Sequence, residues 1–167
     1  LKKMMTDPVG GAFLTRDRVR PAELRTLDMA FDPDRFFDRL LGVVFGDAPA
    51  SDQDLSADAD NRWEDGAVVD VHAALGWTYD YLFTQLGWAG IDGNNGAVDA
   101  FVRPFDAAEL IDRSRQCVAG TLSDNECVIV EFLLGLLDNA AYFFPGAPDS
   151  TGVMVFGEPF FLTNPLT

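Results

Sequence analysis

The sequence predicts an α+β fold in which a long helix packs on a sheet, and three observations point there. Between Gly66 and Leu86, the residues Val68, His72, Leu75, Tyr79, Leu82 and Leu86 recur at steps of three and four, the spacing of one helix face. From Asn139 onward the texture changes to short aromatic and β-branched runs around a Pro-Gly-Ala-Pro-Asp-Ser-Thr loop, the pattern of a hairpin. The chain has 167 residues, 48% hydrophobic and 12% aromatic. A chain of this length suffices for one domain that buries roughly 70% of its unfolded surface.

Taken in order, residues 1–31 carry Gly10-Gly11 and Pro21 and read as short strands and turns. Asp32 is placed to cap a helix that Pro33 starts, with Phe36, Phe37, Leu40 and Leu41 as its apolar face and Gly42 as its stop. Residues 46–62 form an acidic loop. Asp65 then caps the long helix, which Gly87 ends in a left-handed turn; Val71, Ala74 and Thr78 widen its buried stripe. Asp92-Gly93-Asn94-Asn95-Gly96 is a turn. Residues 97–103 alternate weakly, as a strand with small residues on both faces would. Residues 105–115 read as a short helix. Ser123 and Glu126 have the spacing of a capping box, which predicts a second helix to about Leu137; Val128-Ile129-Val130 also suits a buried strand. Residues 141–144 and 152–157 form the hairpin, and residues 160–162 add a further strand. No internal repeat or linker divides the chain.

Lys and Arg total 12 against 27 Asp and Glu, a formal charge of -15. That field repels phosphate backbones and anionic lipid, so nucleic acid is excluded as a partner class. It favours divalent cations and tolerates salt, and a solvated acidic surface accounts for most of it. The longest apolar run, residues 128–137, is interrupted by Glu131 and Gly135, far from the ~20 residues of a membrane span. Residues 1–8 carry no hydrophobic signal stretch; a processed exported protein and an excerpt of a longer chain both fit.

Chemistry-bearing residues are few. His72 is the only histidine. A catalytic zinc takes three protein ligands, commonly two or three of them histidines, so this chain cannot hold one alone. His72 lies on the helix stripe and reads as a buried structural group. No phosphate loop or dinucleotide fingerprint is present. Cys117 and Cys127 either pair, closing a small loop worth about 2–3 kcal/mol, or stay as reduced core thiols; pairing would suit an exported protein. Asp58 and Asp60 alternate around Ala59, a spacing that turns two carboxylates toward one hard cation such as calcium. Asn139-Ala140 precede an aromatic strand, whose exposed edge would bind an extended peptide, with the asparagine amide offering both donor and acceptor. A plain helix-to-strand turn is the other reading of that pair.

Several of these segments, in this order, resemble the thermolysin-type metallopeptidases and their fungalysin relatives. They are Ala57-Asp58-Ala59-Asp60-Asn61, Val69-Asp70-Val71-His72, Thr78-Tyr79-Asp80-Tyr81 and Asp92-Gly93-Asn94-Asn95. Asn139-Ala140 with the aromatics after it, and Val153-Met154-Val155-Phe156-Gly157, resemble the edge strand and hairpin of that family, with the proline-rich stretch at residues 145–148 between them. The match is good over 55–103 and moderate over 138–167. Residues 1–54 and 104–137 do not align, and 104–137 looks like an insertion.

The resemblance implies that residues 1–167 form a single N-terminal lobe, a curled mixed or antiparallel sheet with the long helix on it. It implies the amino-terminal part of a secreted zinc metalloendopeptidase, with zinc held by residues outside this chain and no catalytic residue within it. Asp58 and Asp60 inherit a calcium site, and Asn139 and Ala140 inherit main-chain contacts to a protein or peptide substrate. The remaining C-terminal segment of the peptidase is the implied partner. A non-catalytic binding or assembly protein that lacks the zinc half is the alternative. Four departures from the family pattern stand out: Arg62 beside the calcium loop, a shortened stretch before Val68, the insertion, and Ala141 where a bulky aromatic is usual.

Overall fold

The computed structural model describes residues 4–45, 51–137, 139–143 and 151–157. The expected strand at 160–162 and the proline-rich stretch at 145–148 lie outside them. Near the start, β1 (Asp7–Val9), β2 (Ala12–Leu14) and β5 (Ala57–Asp58) make a small antiparallel sheet in the order β1-β2-β5. Among the described residues the main sheet has five strands. These are β3 (Arg16–Asp17), β4 (Leu24–Asp28), β6 (Val98–Val102), β8 (Gly152–Phe156) and β7 (Ala140–Phe143), in the order β3-β4-β6-β8-β7. The central pairs, β4 with β6 and β6 with β8, are parallel; the outer pairs are antiparallel. The α+β class and the mixed sheet are therefore both present.

Every residue of β6 is buried, because both faces of the sheet are covered. On one face lies α2 (Gly66–Leu86), whose Val68, Val71, Leu75 and Tyr79 meet Leu24, Val98, Ala100 and Val102. On the other lie α1 (Pro33–Phe45), α3 (Ala107–Val118) and α4 (Asp124–Leu134), which surround Phe101, Val153 and Val155. Double burial is why this strand lacks a clean polar and apolar alternation in sequence. Asp99 is fully buried on it and is held by Arg25 of β4 at 2.5 and 2.8 Å.

The helix ends follow local chemistry. The Asp65 carboxylate accepts from the Ala67 and Val68 amides at 3.1 and 3.2 Å. Gly87, at φ 67°, sends its amide back to the Phe83 carbonyl. Asp32 Oδ1 accepts from the Arg35 amide at 2.9 Å. Gly42 does not end α1, which runs on to Phe45. An interior glycine costs only about 1 kcal/mol, and the extra turn buries Val43 in the core.

Residues 128–130 are helical, with Ser123 and Glu126 closing a capping box at the start of α4. Cys117 and Cys127 are bonded, tying the end of α3 to the first turn of α4 with their Cα atoms 5.6 Å apart. The acidic stretch is less loop-like than its composition suggests, since Asp54 and Leu55 are buried and β5 lies within it.

Candidate functional site

Three places carry the sequence-predicted site residues. The first is the loop after β5. Asp58 Oδ1 accepts from the Asp60 and Arg62 amides, both at 3.0 Å, and Asp60 Oδ1 accepts from the Arg62 amide at 3.0 Å. Asn61 takes a left-handed φ of 61° to make the turn. One oxygen of each carboxylate is thus spent on folding the loop. Both residues line a polar cavity of about 480 Å³, together with Asp28, Ser56, Asp65 and Arg103.

Within that cavity, Arg103 bridges Asp28, through Nε at 2.9 Å, and Asp65 at 2.7 Å, which neutralises two of its acids. Those bonds hold the guanidinium pKa above its ordinary value. The buried Ser56 hydroxyl lines the same space and has no hydrogen-bond partner among the described residues. The donors left over are all oxygens, which suits a hard cation. They fall short of its six to eight ligands, and among the described residues no group of three or more His, Cys, Asp or Glu is placed to hold a metal.

The second place is His72, buried between α2 and β4. Its Nδ1 lies 2.9 Å from Thr26 Oγ1 and its Nε2 lies 2.7 Å from the Met5 carbonyl. A carbonyl only accepts, so Nε2 carries the proton and Nδ1 accepts from Thr26. Burial holds the imidazole pKa below its ordinary 6.5, and Arg20 pushes the same way; the Met5 carbonyl and Asp17 pull against them. With both nitrogens committed, His72 neither ligates a metal nor serves as a base. The residues present do not fit a catalytic zinc.

The third is β7, one of the two edge strands of the main sheet among the described residues, with β3 at the other edge. The Gly157 amide donates to the Asn139 carbonyl at 3.0 Å, and the register pairs Ala140 with Phe156 and Tyr142 with Met154. Antiparallel alternation then turns the main-chain groups of Ala140 and Tyr142 away from β8. The Ala140 amide is met by the Asn139 side-chain oxygen at 2.8 Å, while the Asn139 Nδ2 reaches back to the Gly135 carbonyl at 3.4 Å. The Ala140 carbonyl and both main-chain groups of Tyr142 are left facing outward.

Two glycines shape this edge, and sequence reading assigned them no role. A side chain at Gly157 would collide with the Leu136 carbonyl, and one at Gly152 would meet the Tyr142 hydroxyl at 2.7 Å. Their place at the two ends of one strand pattern was the available signal. Asp58 and Asp60 belong to the small sheet and its loop, Asn139 and Ala140 to the main one; these are two separate places on the molecule.

The family model for the thermolysin metallopeptidase catalytic domain matches residues 1–114. The chain belongs to that family. No curated protein matches it. The family match takes in residues 1–54, where local motifs alone showed no alignment, and runs through the loop after β5, α2 and β6 into α3. Asp58, Asp60 and His72 fall inside it; the disulfide, Asn139 and Ala140 fall beyond it. Membership makes this a domain of metallopeptidase origin, from a family that acts on proteins. No described helix is long and apolar enough to cross a membrane.

Proposed function

We propose that this chain forms the N-terminal lobe of a secreted zinc metalloendopeptidase and serves it by holding an extended substrate. The observation that carries the reading is the outward-facing main chain of β7, where Asn139 and Ala140 stand at the start of a strand edge that no other described strand pairs with. A peptide laid along such an edge gains main-chain hydrogen bonds and is held straight for attack. Turning the Asn139 amide outward would free the Ala140 amide and add a side-chain donor and acceptor. Zinc belongs to residues outside these 167, the C-terminal segment of the same peptidase, because the one histidine here is committed to Thr26 and Met5. Calcium at Asp58 and Asp60, completed by Ser56, carbonyl oxygens and water, would brace the loop ahead of α2. The disulfide and the family's habit support secretion.

Two measurements test this reading. The purified chain supplied with zinc leaves peptides uncut; zinc-dependent cleavage by it alone would overturn the assignment of the zinc ligands to another segment. Calcium raises its melting temperature, by an amount that corresponds to about 2.7 kcal/mol at a hundredfold excess over Kd. The gain disappears in Asp58→Asn/Asp60→Asn, and an unchanged melting temperature removes calcium from the proposal.

A further inference from the structure

The last turns of α2 carry apolar surface that nothing described covers. The inner stripe of the helix, Val68, Val71, Leu75 and Tyr79, is buried against β4 and β6. Steps of three and four continue that stripe to Phe83 and Leu86, yet each of these is 55% exposed. The spacing predicts burial as far as Leu86; no described strand covers the helix there. Phe83 stacks on Tyr79 with centroids 6.2 Å apart, and more than half of its surface still remains open. On the outer side Trp77 and Tyr81, one turn apart, are 54% and 59% exposed, and Trp88, just past the Gly87 turn, is 55% exposed. Five large apolar side chains thus stand open within residues 77–88.

A large side chain of this kind carries roughly 150–250 Å² of surface, so half of five such groups comes to roughly 500 Å². That equals the largest apolar patch of an ordinary monomer. Two such patches face to face would bury about 1,000 Å², the size at which a contact between proteins becomes specific. Charge favours a second copy over other occupants. Between Trp77 and Trp88 the only charged residue is Asp80, and Arg20 holds it at 2.6 and 2.8 Å. A basic partner would find no free carboxylate in that stretch, and the formal charge of -15 repels nucleic acid and anionic lipid. We infer that the exposed end of α2 is a dimer interface, on which a second copy of this chain packs its own Trp77, Tyr81, Phe83, Leu86 and Trp88 about a two-fold axis. α2 lies over β4 and β6, while β7 is at the edge of the sheet. The interface and the substrate edge therefore stand or fall separately.

Sedimentation equilibrium of the full chain is the test. The expected result is a monomer–dimer equilibrium with a Kd of about 10 μM, as suits an interface at the small end of the range. Raising salt from about 0.1 to 1 M tightens it severalfold, because screening removes the repulsion between two acidic bodies. A contact made by charges would weaken instead. Trp77→Gln/Trp88→Gln raises the Kd at least about tenfold, and Tyr81→Glu, which sets like charges against each other, does the same. These side chains are more than half exposed, so both variants keep the native circular dichroism spectrum. Val118→Gln, at a 90% exposed position on α3, leaves the Kd unchanged. A chain that stays monomeric at every concentration, assembly that grows past two copies, or a native Kd in both patch variants overturns the interface. Monomers that bind vesicles of neutral phosphatidylcholine overturn it too, and give the patch to a lipid surface.

Discussion

The two faces of the main sheet are covered by different means. Toward α2, β4 and β6 present Leu24, Val98, Ala100 and Val102, and Met154 and Phe156 of β8 pack against them, so one long helix buries a continuous stripe. Toward the other three helices they present Leu27, Phe101, Val153 and Val155, with the rings of Phe36 and Phe105 packed around them. Phe36 and Phe101 pack edge to face at 5.7 Å. One face is held by a single helix with firm caps and a polar anchor at His72. The other is held by aromatic volume and a crosslink.

If that contrast is right, truncating a ring should hurt more than truncating a helix residue. Phe101→Ala is expected to cost about 4 kcal/mol and Leu75→Ala about 2–3 kcal/mol in urea denaturation. Equal costs would mean that the faces are packed alike. The crosslink is the next largest effect. Cys117 and Cys127 are ten residues apart, and the double serine variant should lose about 2–3 kcal/mol by chain entropy. Amide exchange should speed up in α3 and α4 first while α2 stays protected; uniform loss of protection would show that the faces unfold as one unit.

The α2 face should in turn be the acid-sensitive one. His72 is neutral in the fold, with its pKa below the ordinary 6.5. The unfolded chain therefore takes up a proton first as pH falls. Stability from this group is complete above 6.5 and is lost as pH drops from there toward the folded value, by up to about 1.4 kcal/mol per pH unit. The groups facing it, Asp17 and Arg20, are paired with each other and with Asp80. Arg20 holds the Asp80 carboxyl below its ordinary 3.8, so that pair fails only in stronger acid. His72→Gln should flatten the stability curve below pH 6.5. A native curve already flat there would mean that the imidazole titrates normally.

The same contrast explains what could be read from sequence. Asp65, Gly87, Asp32 and the pair Ser123 and Glu126 act within four residues of themselves, so their spacing carries their meaning. His72 was legible as buried because its helix stripe is regular, though not its reach to Met5, 67 residues away. The hairpin-side helices were harder. Val128 to Val130 suit a strand by composition, and only the capping box before them favours a helix. Phe37, Phe132 and Phe143 meet from three elements, and no local pattern announces it. Asp58 and Asp60 were visible as an alternating pair, but Arg103 withdrawing Asp28 and Asp65 from the same cavity depends on the fold.

The smallest expected effect sharpens the comparison most, because it is matched on both faces. Asp65 and Ser123 each cap a helix, one on each side of the sheet. A lost cap costs about 1 kcal/mol whichever helix it belongs to. Asp65 also takes one arm of Arg103 at 2.7 Å, and its removal leaves that guanidinium with Asp28 alone beside the cavity. Asp65→Ala should therefore cost more than Ser123→Ala, nearer 2 kcal/mol than 1 for a charged cap that is partly buried. The excess should shrink when Arg103 is changed to Met in the same chain, since a double-mutant cycle isolates the shared contact. If the excess survives without Arg103, the ion pair is not its source, and the α2 face owes its firmness to the cap itself.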